Sequence, residues 1–485
     1  MRRRAYILAA VLVGGASAQN FPGMNRGSSG TATLTLAPPS APNPTGLANR
    51  FRGAVPQGEA SSGTMDLSLS EALKLGLDRN LGTLLSSTSE RMARADRLTA
   101  LSRLLPQVRA GVDENSQQMN LAAFGFPPNP AFPSVVGPFK VFDARAYVSQ
   151  TLFNLRTLYD KRARTKEVEA AVLDSGDAKD TIVEVVTALY WNAVASASRI
   201  EAAQAQVTTA EASYQLAEDR QKSGLVPAID ALRAQVQLQA ERQRLIASKT
   251  DFEKQKLSLA EAIGIPGAQA LRLTDTLKFD VVNSVSAEEA IQQAFGARKD
   301  YQSQAARVEV AELQRKGASR LRMPTVSVDG DYGTLGRSPI TNNHGTYSVR
   351  LGVNIPIFSG GADQAALQRT EIEVDRQKTL LAEMRAHIGF EIRAALLDLN
   401  AAAEQVSVSR SGVDLAGQQV TQARDRFEAG VTDTMEVVQA QQGLAAANDS
   451  YITSLYAYSL AKVRLARAMG GTEQNLANWA RGGGR

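Results

Sequence analysis

The sequence has no cysteine and only two histidines among its 485 residues. Without cysteine, a disulfide framework, a thiolate metal site, a cysteine nucleophile and a cysteine-linked lipid are all excluded. The two histidines, His344 and His387, are far apart in the sequence, so a metal or catalytic cluster is not expected. A glycine-rich phosphate loop and a G-x-S-x-G nucleophile motif are also missing. We therefore expect no enzyme, no cofactor and no metal site.

Long apolar runs are missing as well. No stretch after the N-terminus has 18 or more consecutive apolar residues, so no membrane-spanning helix is expected there. Residues 1–18 have the pattern of a secretory signal peptide, with three arginines, an apolar segment over 6–13, and an A-x-A site for cleavage after Ala18. The sequence therefore predicts an exported protein. It either remains soluble outside the cytoplasm or enters a membrane as a β-barrel.

A strong excess of one charge is missing too. Lys and Arg number 54 against 49 Asp and Glu, and three of the arginines belong to the signal peptide. The exported chain is thus close to neutral, and no nucleic-acid partner is predicted.

Residues 19–64 are rich in Gly, Ser, Thr, Pro and Asn, which predicts a flexible leader. Residues 471–485 are predicted to form a Gly-rich C-terminal tail.

What the sequence does contain is an internal repeat. The segment RQKSGLVPAIDALRAQ (220–235) resembles RFEAGVTDTMEVVQAQ (426–441), which lies 206 residues later, with Arg, Gly, an acidic residue and Ala-Gln at the same positions. Upstream of both segments, apolar or small residues recur at alternating steps of four and three, which is the seam of a coiled coil. In the first copy the seam consists of Ile182, Val186, Leu189, Ala193, Ser196, Ile200, Ala203, Val207, Ala210, Tyr214 and Ala217, and in the second of Ile388, Ile392, Ala395, Leu399, Ala402, Val406, Ser409, Val413, Ala416, Val420 and Ala423.

The two repeated segments predict the turns of long antiparallel helical hairpins. Gly224 and Pro227 interrupt the first helix, and Gly430 with Thr432-Asp433-Thr434 interrupts the second, and both sets supply cap chemistry. A helix over 157–222 would be roughly 100 Å long. This is far longer than a globular domain requires.

Copies also match before the hairpins. EALKLGLDRN (71–80) and EAIQQAFGAR (289–298) each begin a predicted helix of about 30 residues, followed by period-2 alternation that predicts strands. The clearest strand runs are FDARAYVSQTLF (142–153) and YSVRLGVNIPIF (347–358). The predicted organisation is a first structural repeat over 65–265, an inter-repeat linker over 266–286 and a second repeat over 287–470.

Each predicted strand has one apolar and one polar face. Charged residues on the polar faces are Arg109, Asp113, Asp143, Arg145, Asp329, Asp331 and Arg350. This pattern fits a half-buried sheet on a helical layer, or a barrel with lipid outside and water inside. Four strands cannot close a barrel alone, since about eight are needed, so several chains would have to contribute. Twelve strands from three chains would suit an open pore, but the sequence does not set the number.

Over roughly residues 65–470 the chain resembles the TolC-like outer membrane efflux proteins, also called outer membrane factors. The resemblance rests on the duplicated layout, on the strand ends QTLFN (150–154) and IPIFSGG (355–361), and on the two R-x-x-x-G turns. It implies a mixed α/β membrane protein: a homotrimer with a twelve-stranded transmembrane β-barrel, four strands per chain, continued by a periplasmic α-helical barrel of coiled-coil hairpins. It places the protein in outer-membrane lipid, extending into the periplasm.

The resemblance also implies a function. Such a channel is the passive exit duct of a tripartite efflux or type I secretion system. A periplasmic adaptor, also called a membrane fusion protein, and an inner-membrane pump of the RND or ABC type would supply the substrate and the energy. The duct would be gated at the periplasmic helical turns. Members of that family export drugs, metals or proteins.

The family's turn motif indicates which residues to examine. The residues expected to form the hairpin turns and to contact the adaptor are Arg220, Gly224, Leu225, Arg426, Phe427 and Gly430. By resemblance, Glu436 lies at the constriction where three chains converge. Asp230 is expected to be a charge at a helix N-terminus that also contacts the neighbouring hairpin, and Glu436 and Asp230 together are expected to gate the channel at the periplasmic turns. Three carboxylates around a narrow axis repel one another and favour cations. Glu436 could instead be a solvated helix-face residue near a helix N-terminus. The family often has an Arg at the position of Thr432, so no salt link between hairpins is expected from that position.

Two other classes of protein remain as alternatives. A periplasmic coiled-coil adaptor or scaffold without a membrane barrel would also have long helical hairpins, although usually one rather than two. A secreted filament would not explain four amphipathic strands that end in turn-rich loops.

Overall fold

The structure is a computed structural model that describes residues 51, 53–57, 63–126, 133–280, 285–472 and 474. The predicted signal peptide with its cleavage site at Ala18, most of the predicted leader and most of the predicted tail lie outside the described residues. In chain order the regular elements are β1 (Met65–Leu67), α1 (Leu69–Arg79), α2 (Leu81–Ser102), β2 (Gln107–Asn120), a short 3-10 helix (Leu121–Phe124), β3 (Val135–Phe153), α3 (Leu155–Lys222), α4 (Ala228–Ile263), β4 (Leu271–Leu273), α5 (Ala287–Ala297), α6 (Lys299–Ala318), β5 (Thr325–Gly336), β6 (His344–Asn354), α7 (Ala362–Glu428) and α8 (Thr434–Met469).

Two long helical hairpins, α3–α4 and α7–α8, are present as predicted. Helix α3 has 68 residues and α7 has 67, and the returning helices α4 and α8 have 36 residues each. Most of the predicted seam is buried, from Ile182 to Ala217 in the first hairpin and from Ile388 to Ala423 in the second. Many of these buried residues are alanines, which allows the two helices of a hairpin to approach closely. Among the described residues, no helix is both long and apolar enough to span a bilayer.

The helices form a layer with a definite order. Helix α3 packs against α2, α4, α6 and α8, helix α7 packs against α6 and α8, and α4 makes a smaller contact with α8. The larger of these contacts indicate the order across the layer. Helices α2 and α4 share the first position, α3 has the second, α6 and α8 share the third, and α7 has the fourth. The first and last of these positions are the two lateral edges of the layer.

The two helices expected to have about 30 residues are each broken into two, which corrects the sequence prediction. The first breaks at Asn80 and the second at Arg298, and both residues have extended backbone angles. The fully buried Asn80 amide donates to the Ala262 carbonyl at 3.1 Å, and Arg298 donates to the Ala468 carbonyl at 3.2 Å. These carbonyls lie 206 residues apart at the ends of α4 and α8. Different residues therefore fix the two breaks at corresponding places.

Charged residues are concentrated around the second break. Arg298 is 5% exposed and pairs with Asp300 at 2.7 Å and with Glu391 at 2.5 Å. Across from it, burial raises the pKa of Glu184 on α3, and the positive charge of Arg467 only partly offsets this. Glu184 makes no hydrogen bond or ion pair with any described residue, so its charged form is poorly compensated.

The four long strands form one sheet in the order β2-β3-β5-β6, and every neighbouring pair is antiparallel. One face is apolar: Val108, Val112, Val349 and Leu351 are each at least 67% exposed there. The other face carries the predicted charged residues, and Arg145 pairs with Asp331 across the strands at 3.1 Å. The two faces therefore alternate as the sequence predicts. The last strand is shorter than the predicted run: it ends at Asn354, two residues before Pro356, which has no backbone N–H for a strand ladder.

Two predicted boundaries differ from the structure. Residues at the end of the predicted flexible leader are packed, because Phe51 is only 8% exposed and Ala54 bridges to Asn80. The predicted linker over 266–286 contains β4, which pairs in parallel with β1, so that Met65 lies opposite Leu271. These partners are 206 residues apart, so the structural equivalence of the two copies begins inside the predicted linker.

Candidate functional site

The candidate site lies at the two hairpin turns, α3–α4 and α7–α8, which have the same backbone construction. Gly224 and Gly430 have φ of +72° and +74°, a region that favours glycine. The N–H of Leu225 donates to the carbonyl of Arg220 at 2.9 Å, and the N–H of Val431 donates to that of Arg426 at 3.0 Å. An added Cβ at either glycine would meet nothing within 4 Å, so glycine is required by the backbone angle and not by space.

The turns differ in how they begin the returning helix. Pro227 is the N-cap of α4 and makes no side-chain cap bond, whereas the Asp433 carboxylate accepts from the Met435 N–H at 3.1 Å at the start of α8. Proline fixes φ, and aspartate satisfies one of the free N–H groups of the first helical turn. The two copies therefore reach the same geometry by different local chemistry.

A small shared core holds the two turns side by side. It consists of Ala217, Ala231, Ala234, Ala423, Phe427, Val437 and Ala440, with Tyr214, Leu216, Val226 and Val420 packed around it. Phe427 is the largest buried side chain of this core and is 3% exposed. The remaining core positions are mostly alanine, so the separation of the helices near the turns depends strongly on this one ring.

Arg220 crosses from the first turn to the second. Its Nη1 donates to the carbonyl of Phe427 at 2.5 Å, and its Nη2 donates to the carbonyl of Glu428. The guanidinium carbon also lies 5.0 Å from the centre of the Phe427 ring. The last carbonyls of a helix have no partner within the helix and carry its negative dipole end. Arg220 therefore caps α7 from a different hairpin.

Arg426 occupies the equivalent position in the second copy but acts within its own hairpin. Its Nη1 lies 2.9 Å from Oε1 of Glu436, and the hydroxyl of Thr432 donates to the other carboxylate oxygen. The Glu436 side chain is 36% exposed. Glu436 thus has a positive partner and a hydrogen-bond donor within the same chain.

Asp230 lies 206 residues before Glu436 and has a different environment. Its side chain is 8% exposed and lies 3.5 Å from Nη1 of Arg233. The same Arg233 nitrogen lies 3.8 Å from Asp433 at the start of α8. Arg233 therefore bridges acidic groups of both hairpins and forms a second, weaker link between the turns.

Apolar side chains remain exposed on the outer surface of the turns. Leu225 is 72% exposed and Val431 is 68% exposed, and these two residues are equivalent in the two copies. On α4, Ile229, Leu232 and Val236 are at least 49% exposed. An exposed apolar surface around structured turns is typical of an interaction site.

The structure brings some of the predicted residues together and separates others. Arg220 meets Phe427, and Arg426 meets Glu436, whereas no hydrogen bond or ion pair between described residues joins Asp230 to Glu436. The sequence reasoning missed Arg233. Its position three residues after Asp230 on one helix face was the available signal, because such residues are neighbours.

The chemistry available at the turns is that of charge and hydrogen bonding. Across the described ranges, no group of three or more His, Asp or Glu residues is placed to hold a metal ion. Arg220 joins the two turns by capping the carbonyls at the end of α7, and Arg233 joins them by its contacts with Asp230 and Asp433. Such an arrangement can hold the turns in one position and can release them when these bonds are replaced.

Comparison with known proteins places this geometry in context. The family model for outer membrane efflux proteins matches residues 86–265 and 290–471. The chain is 26% identical over 317 residues to Protein CyaE of Bordetella pertussis, covering 62% of this chain and 66% of that protein. It is 25% identical over 397 residues to the pyoverdine export outer membrane protein OpmQ of Pseudomonas putida, covering 79% of this chain and 81% of that protein.

A solved structure shares the fold. The CmeC outer membrane channel of Campylobacter jejuni superimposes with a TM-score of 0.72 at 17% identity, covering 90% of this chain and 95% of that one. At this identity the likeness concerns the fold. The residues that the family model matches include both helical hairpins and both turns.

Proposed function

Because the family model covers most of the chain, the protein belongs to the outer membrane efflux protein family, and we propose that it is the exit duct of an efflux or secretion system. It lies in the outer membrane and extends into the periplasm, as the resemblance implied. We propose further that the duct is a ring of three chains, that it is gated at the hairpin turns, and that substrates cross it passively.

The open edges of the sheet carry this proposal. Strands β2 and β6 are the two edge strands of a four-stranded antiparallel sheet. With an even number of strands, these two edges run in opposite directions. The β6 edge of one copy can therefore pair antiparallel with the β2 edge of the next, which satisfies the unpaired backbone groups of both. Head-to-tail contacts of this kind generate rings.

The helical layer has matching open edges. On α4, Ile246 and Leu257 continue the exposed apolar surface described at the turn, and they are 66% and 53% exposed. On α7 the exposed apolar residues are Ile372, Leu380, Phe390, Leu397, Val408 and Leu415. Helix α4 lies at one lateral edge of the layer and α7 at the other. A ring would bury both surfaces along with the sheet edges.

The number of copies follows from the strands. Two copies would supply about eight strands, and the interior of such a barrel is filled by side chains. Three copies supply about twelve, which makes three the smallest ring with room for a water-filled interior. The apolar face would then meet lipid. Exposed Tyr332 and Tyr347 border this face at one end and Phe153 at the other, like the aromatic girdles of membrane barrels.

The hairpin turns are the proposed gate and the proposed docking place for a periplasmic adaptor and its inner-membrane pump. Arg220 and Arg233 support a closed resting state, since they join the two turns of each chain. Glu436 is proposed to face the axis, where its carboxylate would favour cations once Arg426 releases it. Exposed Leu225 and Val431 offer an apolar surface to the adaptor.

The experiment that tests the proposal is the native mass of the full-length protein extracted from the outer-membrane fraction in detergent. A trimer that also forms pores in a planar bilayer is expected. A monomer or dimer in the periplasmic fraction would refute the ring and the barrel, and would favour the adaptor or scaffold instead. A trimer without pore activity would refute the duct but not the ring.

A further inference from the structure

A cavity of about 900 Å³ lies beside the sheet, where the helices end and the strands begin. It is lined by residues of α3, α6 and α7 and by Arg103, which directly follows α2. A helical layer that closes into a ring must curve, and we assign the face on which one cavity touches successive helices to the concave side of that curve. By contrast, the groove of about 590 Å³ that contains Lys161 and Lys316 touches only α3 and α6, which places it on the opposite face.

Three arginines and one aspartate line this concave cavity. Arg103 lies 3.3 Å from the carboxylate of Asp160. Arg156 and Arg369 make no ion pair or hydrogen bond through their side chains with any described residue. The helix dipoles do not compensate this charge, because α3 and α7 begin at the cavity while α2 and α6 end there. The cavity therefore has a net excess of positive charge from two guanidinium groups.

The positive charge does not extend along the helices into the neighbouring cavity. This neighbouring cavity of about 490 Å³, lined by residues of α2, α3, α6 and α7, contains Asp96, Glu167, Asp174 and Glu373 but only one basic residue, Arg307. Arg307 pairs with Asp174 at 2.6 Å. The face is therefore acidic below the arginines, so the arginines are not part of a generally basic surface.

We propose that Arg156 and Arg369, with Arg103, bind oxyanionic groups of cargo, phosphate or carboxylate, at the junction of the helical tunnel and the sheet. The guanidinium group presents a planar fork that matches both oxyanions, and these two forks are unoccupied by any described residue. The inference rests on the proposed function, since a ring of three copies turns the concave face into the lumen. The duct would then have an anion-binding site at this junction in addition to the Glu436 carboxylate at its turns.

The test titrates sodium pyrophosphate calorimetrically into the full-length protein in detergent. The ionic strength is kept low, because salt screens the attraction between the anion and the arginines. The variant Arg156→Gln/Arg369→Gln removes the two unpaired guanidinium groups. The matched control Lys161→Gln/Lys316→Gln removes the same charge from the opposite face of α3 and α6. Repeating the titration with citrate shows whether carboxylates are accepted as well as phosphates.

We expect pyrophosphate affinity to fall about tenfold or more in the arginine variant and to stay near the wild-type value in the lysine control. Absence of binding by the wild-type protein would overturn the inference, and so would equal binding by all three proteins. An equal loss in both variants would show an effect of net charge alone and would also overturn it. The native mass and the pore activity of the same preparations separate the two proposals. A pore-forming trimer whose pyrophosphate binding is unaffected by the arginine variant refutes only the anion site.

Discussion

Replacing Arg220 by alanine should loosen the contact between the two hairpin turns of each chain. The change removes two hydrogen bonds from a charged donor to main-chain carbonyls, at Phe427 and Glu428, and the stacking on the Phe427 ring. Each such hydrogen bond contributes about 1 kcal/mol when water can replace it, and the ring contact about 0.5 kcal/mol. The closed arrangement should therefore lose about 2–3 kcal/mol, which corresponds to about a 30- to 150-fold shift toward the open one.

Single-channel recording of the purified protein in planar bilayers measures this shift as open probability. The acceptors of Arg220 are neutral carbonyls, so the effect of Arg220→Ala should persist at about 1 M salt, where ion pairs are screened. Arg426→Ala is the matched control, because Arg426 holds only Glu436 of its own hairpin through an ion pair. Its effect on opening should be smaller and should diminish with salt.

Two results would refute this reasoning. If Arg220→Ala leaves the open probability unchanged, the contact seen between the turns does not hold them closed. If Arg220→Ala and Arg426→Ala open the channel equally and with the same salt dependence, the contacts between the hairpins and those within one hairpin are not separable. Arg220→Lys should give an intermediate opening, because lysine keeps the charge but cannot reach two carbonyls with a planar fork.

Three further predictions address the charges and the turn. Glu436→Gln should reduce cation preference and divalent-ion block of the open channel, and unchanged reversal potentials in a salt gradient would exclude Glu436 from the conducting path. Gly430→Val should destabilise the second turn by roughly 1–3 kcal/mol, because a β-branched residue disfavours φ of +74°. Efflux in cells should be impaired although the trimer still inserts. Gly412→Ala, within α7, is the control and should leave efflux unimpaired. Since burial raises the pKa of Glu184 above its ordinary 4.5, folding stability falls as pH rises from that value to the raised one. Glu184→Gln should therefore raise the melting temperature at pH 7 and leave it unchanged below about pH 4, where Glu184 is protonated in both the folded and the unfolded chain. An equal gain at both pH values would contradict this.

Much of the fold could be predicted from local sequence rules. The alternation of four and three predicted the buried seams of both hairpins, because a repeat of 3.5 residues keeps one helix face against its partner. Alternating polarity predicted the two faces of the sheet, because successive strand residues point to opposite sides. The positive φ at Gly224 and Gly430 also follows from residue type and position at a helix end.

Contacts between residues distant in sequence could not be predicted in this way. The breaks at Asn80 and Arg298 interrupt patterns that continue as helices, and they are fixed by carbonyls at the ends of α4 and α8. Phe51 is buried although the surrounding composition predicted a flexible leader, because it meets a core assembled from later helices.

The candidate site shows the same division. The sequence by itself determined that two equivalent turns exist and that each contains an arginine, a glycine and an acidic residue at matching positions. Only the tertiary structure decided that Arg220 reaches the other hairpin while Arg426 stays in its own. Likewise, only the packing of four helices brings Arg103, Arg156 and Arg369 to one cavity. The physical reason is that local periodicity sets which face of a helix is buried, whereas the partner of a long charged side chain depends on how whole helices are placed beside one another.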